Sequence, residues 1–474
     1  MTKGVDIGLI GLAVMGQNLV LNMNDHGIKV AVFNRTLSKV DLFLQGPAKK
    51  SHVVGTYSLT ELVGRLKRPR IVMIMIRAGN SVDNIIDELM LLVEKGDLII
   101  DGGNSHYLDS ERRYEKLKKA GILFIGAGIS GGEDGARYGP SIMVGGEFDG
   151  WRIVQPILQS IAAKFEGREP CCNWVGRGGA GHYVKMVHNG IEYGEMQMIC
   201  EAYHLLSSNL SLSANEIAQL FEEWNRGELN SYLFEITSKI FKYREADGTL
   251  LVERILDVAG QKGSGKWMGI DAFDLGMPAT VTGEAVFARF LSTLKEQREK
   301  VSKYFAIKHK PFVGNKRQLV EDLSQALYAT KIICYAQGFM LMRMAAQKMK
   351  WGLDYGSIAL IWRNGCIIRT PLLGEIKRAF DKNEALETLL LDRFFKDEIL
   401  RVKEGWRRVV AHAVRQGIPA PCLGSALAFF DGYCSERLPT NLLQAQRDCF
   451  GAHTYERVDR QRGTFFHTNW GERG

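Results

Sequence analysis

The sequence predicts an α/β domain built on a parallel sheet, then a large all-α domain, then a C-terminal tail. Three observations carry this. Over the first third, short apolar runs alternate with amphipathic stretches, the pattern of strands joined by helical crossovers. Past Gly176 the apolar spacing turns helical and stays so. From about Ser435 the periodicity weakens, and Pro439, Gly451, Gly463 and Gly471 interrupt it. The expected domain boundaries are 1–177, 178–434 and 435–474.

Taken in order, strands are expected over 5–10, 29–33, 71–76, 98–101 and 122–125, each short and apolar. Helices are expected over 11–25, 81–94 and 108–120. Residues 142–144 and 174–175 add edge strands. In the second domain 180–206, 214–225, 231–243, 285–305, 319–350 and 397–416 read as helices, and two of them look longer than average.

Composition narrows the function. The 474 residues are 46% hydrophobic and 24% charged, an ordinary globular mix that excludes wholesale disorder. No apolar run approaches the ~18 residues of a membrane helix, so no membrane partner is expected. The N-terminus passes from Met1-Thr2-Lys3 straight into a strand, without the apolar segment and cleavage site of a secretion signal. None of the eight cysteines forms CxxC, and none is spaced with histidine for zinc. The expectation is reduced thiols in a cytoplasmic protein with no metal. The net charge of +8 is dispersed. Even the basic stretch 295–317, with Lys308, Lys310, Lys316 and Arg317, reads as a solvated face, and no nucleic-acid partner is expected.

Gly11-x-Ala13-x-x-Gly16 follows the first strand and opens a helix. In that position it is a dinucleotide fingerprint with alanine at the middle glycine, which makes the first domain Rossmann-like. Gly11 permits the tight turn and Gly16 the close helix–strand packing. The run Gly11, Leu12, Ala13, Val14, Met15, Gly16 brings backbone N–H groups and the helix dipole to a pyrophosphate. The second strand ends Phe33-Asn34-Arg35-Thr36, where an NAD enzyme usually places a carboxylate. Arg35 can instead pair with a 2′-phosphate and stack on adenine. NADP is therefore the expected cofactor.

Two glycine-rich loops, Asp101-Gly102-Gly103-Asn104-Ser105 and Ser130-Gly131-Gly132, follow neighbouring strands at the end where such sheets place their sites. Beyond them, Lys185, His188, Asn189, Glu192 and Tyr193 recur at helical spacing on one face, while Val184, Val187 and Ile191 point elsewhere. Lys185 and Glu192 lie two turns apart, about 10 Å at the standard rise, enough to hold a five- or six-carbon sugar acid between them. A lysine with a lowered pKa and a glutamate with a raised one make a base and an acid at neutral pH. The basic glycine loop Gly260-Gln261-Lys262-Gly263-Ser264-Gly265-Lys266-Trp267 is not a P-loop, yet Lys262 and Ser264 suit a phosphate, with Arg289 as a further charge.

These segments resemble those of the decarboxylating 6-phosphogluconate dehydrogenases. The resemblance rests on GLAVMGQNL at 11–19, FNRT at 33–36, IIDGGNS at 99–105, SGGEDGARYGPSIM at 130–143, GAGHYVKMVHNGIEYG at 179–194, AGQKGSGKW at 259–267 and QRDCFGAHTYE at 446–456. It implies metal-independent oxidative decarboxylation of 6-phosphogluconate with NADP, giving ribulose 5-phosphate. It makes Lys185 the general base and Glu192 the general acid. It assigns Asn104, Ser130, Gly131, Gly132, His188 and Asn189 to the substrate's carboxylate and hydroxyls, with Asn104 also beside the cofactor. Tyr193, Lys262, Ser264 and Arg289 are assigned to its phosphate, joined by Arg447 and His453 from a second subunit. The family is a homodimer whose tail threads into the partner, which would explain a weakly periodic C-terminus. Ser264, Val144, Cys449 and Arg177-Gly178 depart from the usual pattern, and Cys449 puts the strength of tail docking in question. The smaller β-hydroxyacid dehydrogenases share the glycine motif and a helix lysine but leave 259–267 and the tail unexplained.

Overall fold

The computed structural model describes residues 4–307 and 312–471, so Lys308 and Lys310 lie outside the described residues. Chain contacts divide it into a unit over 1–426 and a second over 427–474.

The first unit opens with alternating strands and helices: β1 (Ile7–Ile10), α1 (Val14–Asp25), β2 (Val30–Phe33), α2 (Ser38–Gln45), β3 (Val54–Gly55), α3 (Leu59–Arg65), β4 (Ile71–Ile74), α4 (Asn80–Met90), β5 (Leu98–Asp101), α5 (Tyr107–Lys119), β6 (Leu123–Ile129), α6 (Gly132–Tyr138), β7 (Ile142–Gly146) and α7 (Phe148–Ile161). A small hairpin, β8 (Lys164–Phe165) with β9 (Glu169–Pro170), precedes β10 (Cys172–Gly176). The main sheet runs β10-β7-β6-β5-β4-β1-β2-β3. Every pairing is parallel except β6 with β7. The expected edge strand over 142–144 is therefore an interior strand, antiparallel to β6, and only β10 lies at that edge. β1, β4 and β5 are buried throughout because helices cover both faces, which is why their sequences are almost uninterrupted apolar runs. Chain order reverses between β1 and β4, and that switch opens a crevice beyond the strands' carboxyl ends.

The helical part begins with α8 (Ala180–His204), a π-turn over Leu205–Asn209, α9 (Ala214–Trp224), α10 (Tyr232–Lys242) and the short α11 (Leu251–Arg254). It continues with α12 (Ser264–Leu275), α13 (Thr280–Thr293), α14 (Lys295–Phe305), α15 (Lys316–Met349), α16 (Tyr355–Ile361), α17 (Leu372–Lys382), α18 (Arg393–Gln416) and α19 (Pro421–Tyr433). The single helix expected over 285–305 is in fact two. Leu294 leaves helical geometry (φ −85°, ψ 39°) and separates α13 from α14. Among the described residues no helix is long and apolar enough to cross a membrane, and all eight cysteines are free.

The helices pack on the sheet through glycines. Gly126 and Gly128 alternate along β6 and so share one face. A Cβ on Gly126 would stand 2.9 Å from His182 Nδ1, and one on Gly145 would stand 2.2 Å from the Gly181 nitrogen. With no side chains between them, the first turns of α8 lie directly against β6 and β7.

In the second unit α20 (Thr440–Gly451) leads into an antiparallel pair, β11 (Tyr455–Glu456) with β12 (Phe465–Phe466). The weakly periodic tail is thus locally ordered. Its hub is the buried Asp448 carboxylate, which accepts from the backbone N–H groups of Thr454 and Thr468 at 3.0 Å and from Trp470 Nε1 at 2.8 Å. His467 Nδ1 sits 2.9 Å away. One well-supplied carboxylate orders a segment too short and polar to build a core.

Candidate functional site

At the carboxyl end of β1, Gly11 takes φ +108°, and a Cβ there would stand 2.4 Å from the Met75 carbonyl. A Cβ on Gly16 would stand 2.0 Å from the Gly11 carbonyl. Both glycines are therefore required by contact as well as by turn geometry. Ala13 precedes α1 in extended conformation and supplies no capping side chain, so the first-turn N–H groups at Val14 and Met15 remain available to an anion. Asn34 has a local duty: its Oδ1 accepts from Leu12 N–H at 3.0 Å and its Nδ2 donates to the Thr36 carbonyl at 3.0 Å. It locks the glycine loop to the end of β2. The adjoining cleft, about 330 Å³, is lined by Gly11, Asn34, Arg35, Thr36, Lys39 and Arg77 among others. Arg35 and Thr36 are exposed, and among the described residues Arg35 has no carboxylate partner. Lys39, one turn after Arg35, and Arg77, just past β4, are cationic neighbours that sequence reasoning did not single out. Glu88 also lines the cleft, so three cations face one carboxylate there, and with the uncapped helix and a cradle that any Cβ would fill they fit a dinucleotide carrying an extra phosphate.

The Asp101 loop is braced from beneath. Asp101 Oδ2 accepts from Ser105 Oγ at 2.6 Å and from Arg113 Nη1 at 2.9 Å, and Oδ1 accepts from Gly103 N–H at 3.1 Å. Arg113 is fully buried and also forks onto Asp83 at 3.0 Å through Nε and Nη2. His182 on α8 holds the same loop, with Nε2 3.0 Å from the Gly103 carbonyl and Nδ1 2.6 Å from Ser110 Oγ. Asn104, at the apex, remains exposed. Sequence reasoning missed Arg113, Asp83 and His182. The available signal was Asp101 itself, a carboxylate ending an otherwise apolar strand.

The five-residue face on α8 is not a solvated one. Lys185, His188, Asn189 and Tyr193 are buried, and only Glu192 keeps partial exposure. Gly128 leaves the space for Lys185, since a Cβ there would stand 2.3 Å from Lys185 Cβ. Lys185 Nζ donates to Asn189 Oδ1 at 2.6 Å, and Asn189 Nδ2 donates to Ser264 Oγ at 2.9 Å. One amide thus links the amine to the first residue of α12. His188 Nδ1 lies 3.0 Å from Asn189 Oδ1 and 3.9 Å from Glu192 Oε2, while Nε2 lies 3.1 Å from Ser130 Oγ. Lys185 Nζ also lies 3.4 Å from Nδ1, so the ring bridges Ser130 on one side to the Lys185–Asn189 pair on the other. Gly131 (φ +103°) has no room for a side chain either, because the Gly365 carbonyl would be 2.5 Å from its Cβ. Gly132 begins α6 beside it, exposed.

Burial pushes the Lys185 ammonium below its ordinary value, against the opposing pull of Glu192. It pushes the Glu192 carboxyl up, against the charges of Lys185 and Arg289. Burial, reinforced by Lys185, holds His188 neutral. The Arg289 guanidinium lies 3.4 Å over the Tyr193 ring and reaches the Gly260 carbonyl at 3.3 Å. Gly265 packs flat against the Tyr193 ring, 2.4 Å from its would-be Cβ. Tyr193, Ser264 and Arg289 are therefore clustered, with Lys262 exposed on the loop before α12. Arg447, on α20, and His453, just after it, belong to the second unit and are both exposed there. The first unit brings a lowered-pKa amine, a raised-pKa carboxyl and neutral polar groups to one face, with cations at one end of it. That arrangement suits proton transfer in both directions on an anionic, hydroxylated substrate.

Two family models match the chain. One, described as the NAD binding domain of 6-phosphogluconate dehydrogenase, covers residues 6–176, and the other, its C-terminal domain, covers 181–470. Relatives from Ovis aries and Homo sapiens, both named 6-phosphogluconate dehydrogenase, decarboxylating, are each 57% identical over 98% of this chain and 96% of their own. The namesake from Aggregatibacter actinomycetemcomitans is 56% identical over 99% of this chain and 97% of its own. A solved structure of Plasmodium falciparum 6-phosphogluconate dehydrogenase, described in apo form and in complex with NADP+ and with 6-phosphogluconate, superposes with a TM-score of 0.95. It is 43% identical and covers 98% of this chain and 100% of that one.

Proposed function

The chain belongs to the decarboxylating 6-phosphogluconate dehydrogenase family, and from that premise we propose that it converts 6-phospho-D-gluconate and NADP to D-ribulose 5-phosphate, carbon dioxide and NADPH. The observation that carries this reading is the buried α8 face, where Lys185 and Glu192 are shifted in opposite directions two turns apart.

The glycine loop with Gly11, Leu12, Ala13, Val14, Met15 and Gly16 holds the pyrophosphate of NADP, and Asn34, Arg35 and Thr36 hold its 2′-phosphate end. When bound, NADP supplies the hydride acceptor. Lys185, whose ammonium burial weakens, takes the proton of the C3 hydroxyl in its amine form. The ammonium so formed stays beside the C3 oxygen and stabilises negative charge there as the carboxylate leaves. The 3-keto group beta to that carboxylate is its own electron sink, so the reaction requires no metal. Glu192, whose carboxyl burial raises above the usual carboxylate range, then delivers a proton to C1 of the enediol. Asn104, Ser130, Gly131, Gly132, His188 and Asn189 orient the carboxylate and hydroxyls. Tyr193, Lys262, Ser264 and Arg289 receive the phosphate. Arg447 and His453 complete that end from the tail of a second subunit. The domain limits that go with this reading are 1–177, 178–434 and 435–474.

The test is one reaction mixture with 6-phosphogluconate, NADP and a chelator, in which NADPH and carbon dioxide are followed together. Equal yields are expected. NADPH without carbon dioxide would replace the reading with simple hydroxyacid oxidation, and neither product would overturn it. Lys185→Met is expected to abolish oxidation, and Glu192→Gln to slow turnover while NADP still binds.

A further inference from the structure

One buried carboxylate is not used by that chemistry. Asp271 on α12 is 6% exposed, and among the described residues it has no basic partner within ion-pair distance. Its Oδ1 accepts from the Tyr107 hydroxyl at 2.6 Å and its Oδ2 from the Tyr183 hydroxyl at 2.5 Å. Both phenols are buried. Burial and the carboxylate hold both well above the usual tyrosine range, so they remain donors throughout the neutral range. The Trp351 ring packs on both, with centroids 6.0 Å from Tyr107 and 5.3 Å from Tyr183. A buried carboxylate without a cation is tolerated only when its donors are in place, so the three groups hold one another at a defined separation.

Each arm of this bridge ends next to a different part of the site. Tyr107 opens α5, three residues after Asn104 on the braced glycine loop. Tyr183 stands two residues before Lys185 on α8. Asp271 lies two turns after Ser264 on α12, and at that spacing the two share a helix face. A second bridge runs parallel to the first: His106 meets the edge of Trp267, in the first turn of α12, at 5.1 Å. The loop nearest the cofactor, the helix of the base and the helix of the phosphate end thus meet at one carboxylate.

Building on the function proposed above, we propose that Asp271 is a positioning and specificity-determining residue. Through Tyr107 and Tyr183 it fixes the span from Asn104 and Lys185 to Ser264, and so selects the chain length of the phosphorylated sugar acid. A substrate anchored at both ends reacts at an interior carbon only if that span matches. Without the bridge the far end of α12 loses its polar tie to α5 and α8 and is held to α8 by Asn189–Ser264 and by packing alone, so the span relaxes and the correctly sized substrate loses most.

The experiment compares the parent with Asp271→Ala, Asp271→Asn and Tyr107→Phe. Steady-state constants are measured for 6-phosphogluconate and for the homologous five-carbon phosphorylated aldonate, well below each protein's melting midpoint. For Asp271→Ala the expected loss of kcat/KM on 6-phosphogluconate is about 10–100-fold, the scale of an ångström of misplacement. The KM for NADP should remain within about twofold, and the preference for six carbons over five should narrow. Asp271→Asn and Tyr107→Phe, which each keep part of the bridge, should fall between. Should Asp271→Ala fail to fold, Tyr107→Phe carries the comparison. Folded variants that keep the parental kcat/KM, or that lose both substrates equally, overturn the inference alone. A parent inactive on 6-phosphogluconate overturns the functional reading and this inference with it.

Discussion

Gly128→Ala is expected to lower kcat by about 100-fold while the protein stays folded and binds NADP normally. The added methyl would stand 2.3 Å from Lys185 Cβ, 2.9 Å from Lys185 Cγ and 3.0 Å from the Gly181 carbonyl. Ordinary contact for a Cβ begins at 3.4 Å, so something yields by about 1 Å, a typical overpacking strain of about 1–3 kcal/mol. The strand cannot yield easily, because β6 is hydrogen-bonded to β5 on one side and β7 on the other. Gly145 and Gly181 hold the start of α8 against β7, so the displacement is taken up locally at Lys185, where the backbone and Cβ shift and carry the amine with them. A displacement of about 1 Å at a catalytic group costs on the order of 100-fold in rate. The strain is well below a typical folding stability of about 5–15 kcal/mol. The assay is NADPH absorbance with both substrates saturating, with thermal melting and NADP affinity measured on the same preparation. A folded Gly128→Ala protein whose kcat stays within about threefold of the parent would refute the reasoning.

The remaining expectations concern proton transfer, cofactor choice and stability. Burial lowers Lys185, so the neutral base grows in as pH rises toward a value below that of ordinary lysine. Burial raises Glu192, so its acid form outlasts the usual carboxylate range and is lost as pH climbs through the raised value. The pH profile of kcat/KM should be a bell, and Glu192→Gln should remove only its alkaline limb; an unchanged alkaline limb would assign it to another group. Arg35→Ala should raise the KM for NADP by about 10–100-fold, the scale of one charge-assisted phosphate contact, and leave NAD kinetics nearly unchanged. Equal effects on both cofactors would detach Arg35 from the 2′-phosphate. Arg113→Met leaves the buried Asp101 carboxylate without its cation, while Asp83 keeps Arg112, and should destabilise the protein by about 3–5 kcal/mol, read from the urea midpoint. A loss below about 1 kcal/mol would mean that water replaces the guanidinium.

Much of the site was legible because it is written in local patterns. The strand, the Gly11–Gly16 turn and α1 follow from residues within one βα unit. The α8 face follows from helical period alone. Other features had no local signature. The break at Leu294 carries neither glycine nor proline to announce it. The ordering of the tail depends on Asp448 gathering donors from up to 22 residues away. Nor does any local pattern announce that Asn34, beside Arg35, also ties the Leu12 and Thr36 backbone together.

The sequence by itself determined which chemical groups exist and in what order they face one another along each element. Spacing is a property of the backbone, and a 3.6-residue period places Lys185, Asn189 and Glu192 on one side of a helix wherever that helix lies. It also settled the sign of the charge at the end of β2. Only the tertiary structure decided that the α8 face is buried and that Gly128 clears a slot for Lys185. It alone joined Asn189 to Ser264 across 75 residues and Asp271 to Tyr107 across 164. The physical reason is that a pKa is set by what replaces water around a group. For Lys185 and Glu192 those neighbours arrive from β6, α12 and α13, so their reactivity belongs to the assembled fold and not to the helix that carries them.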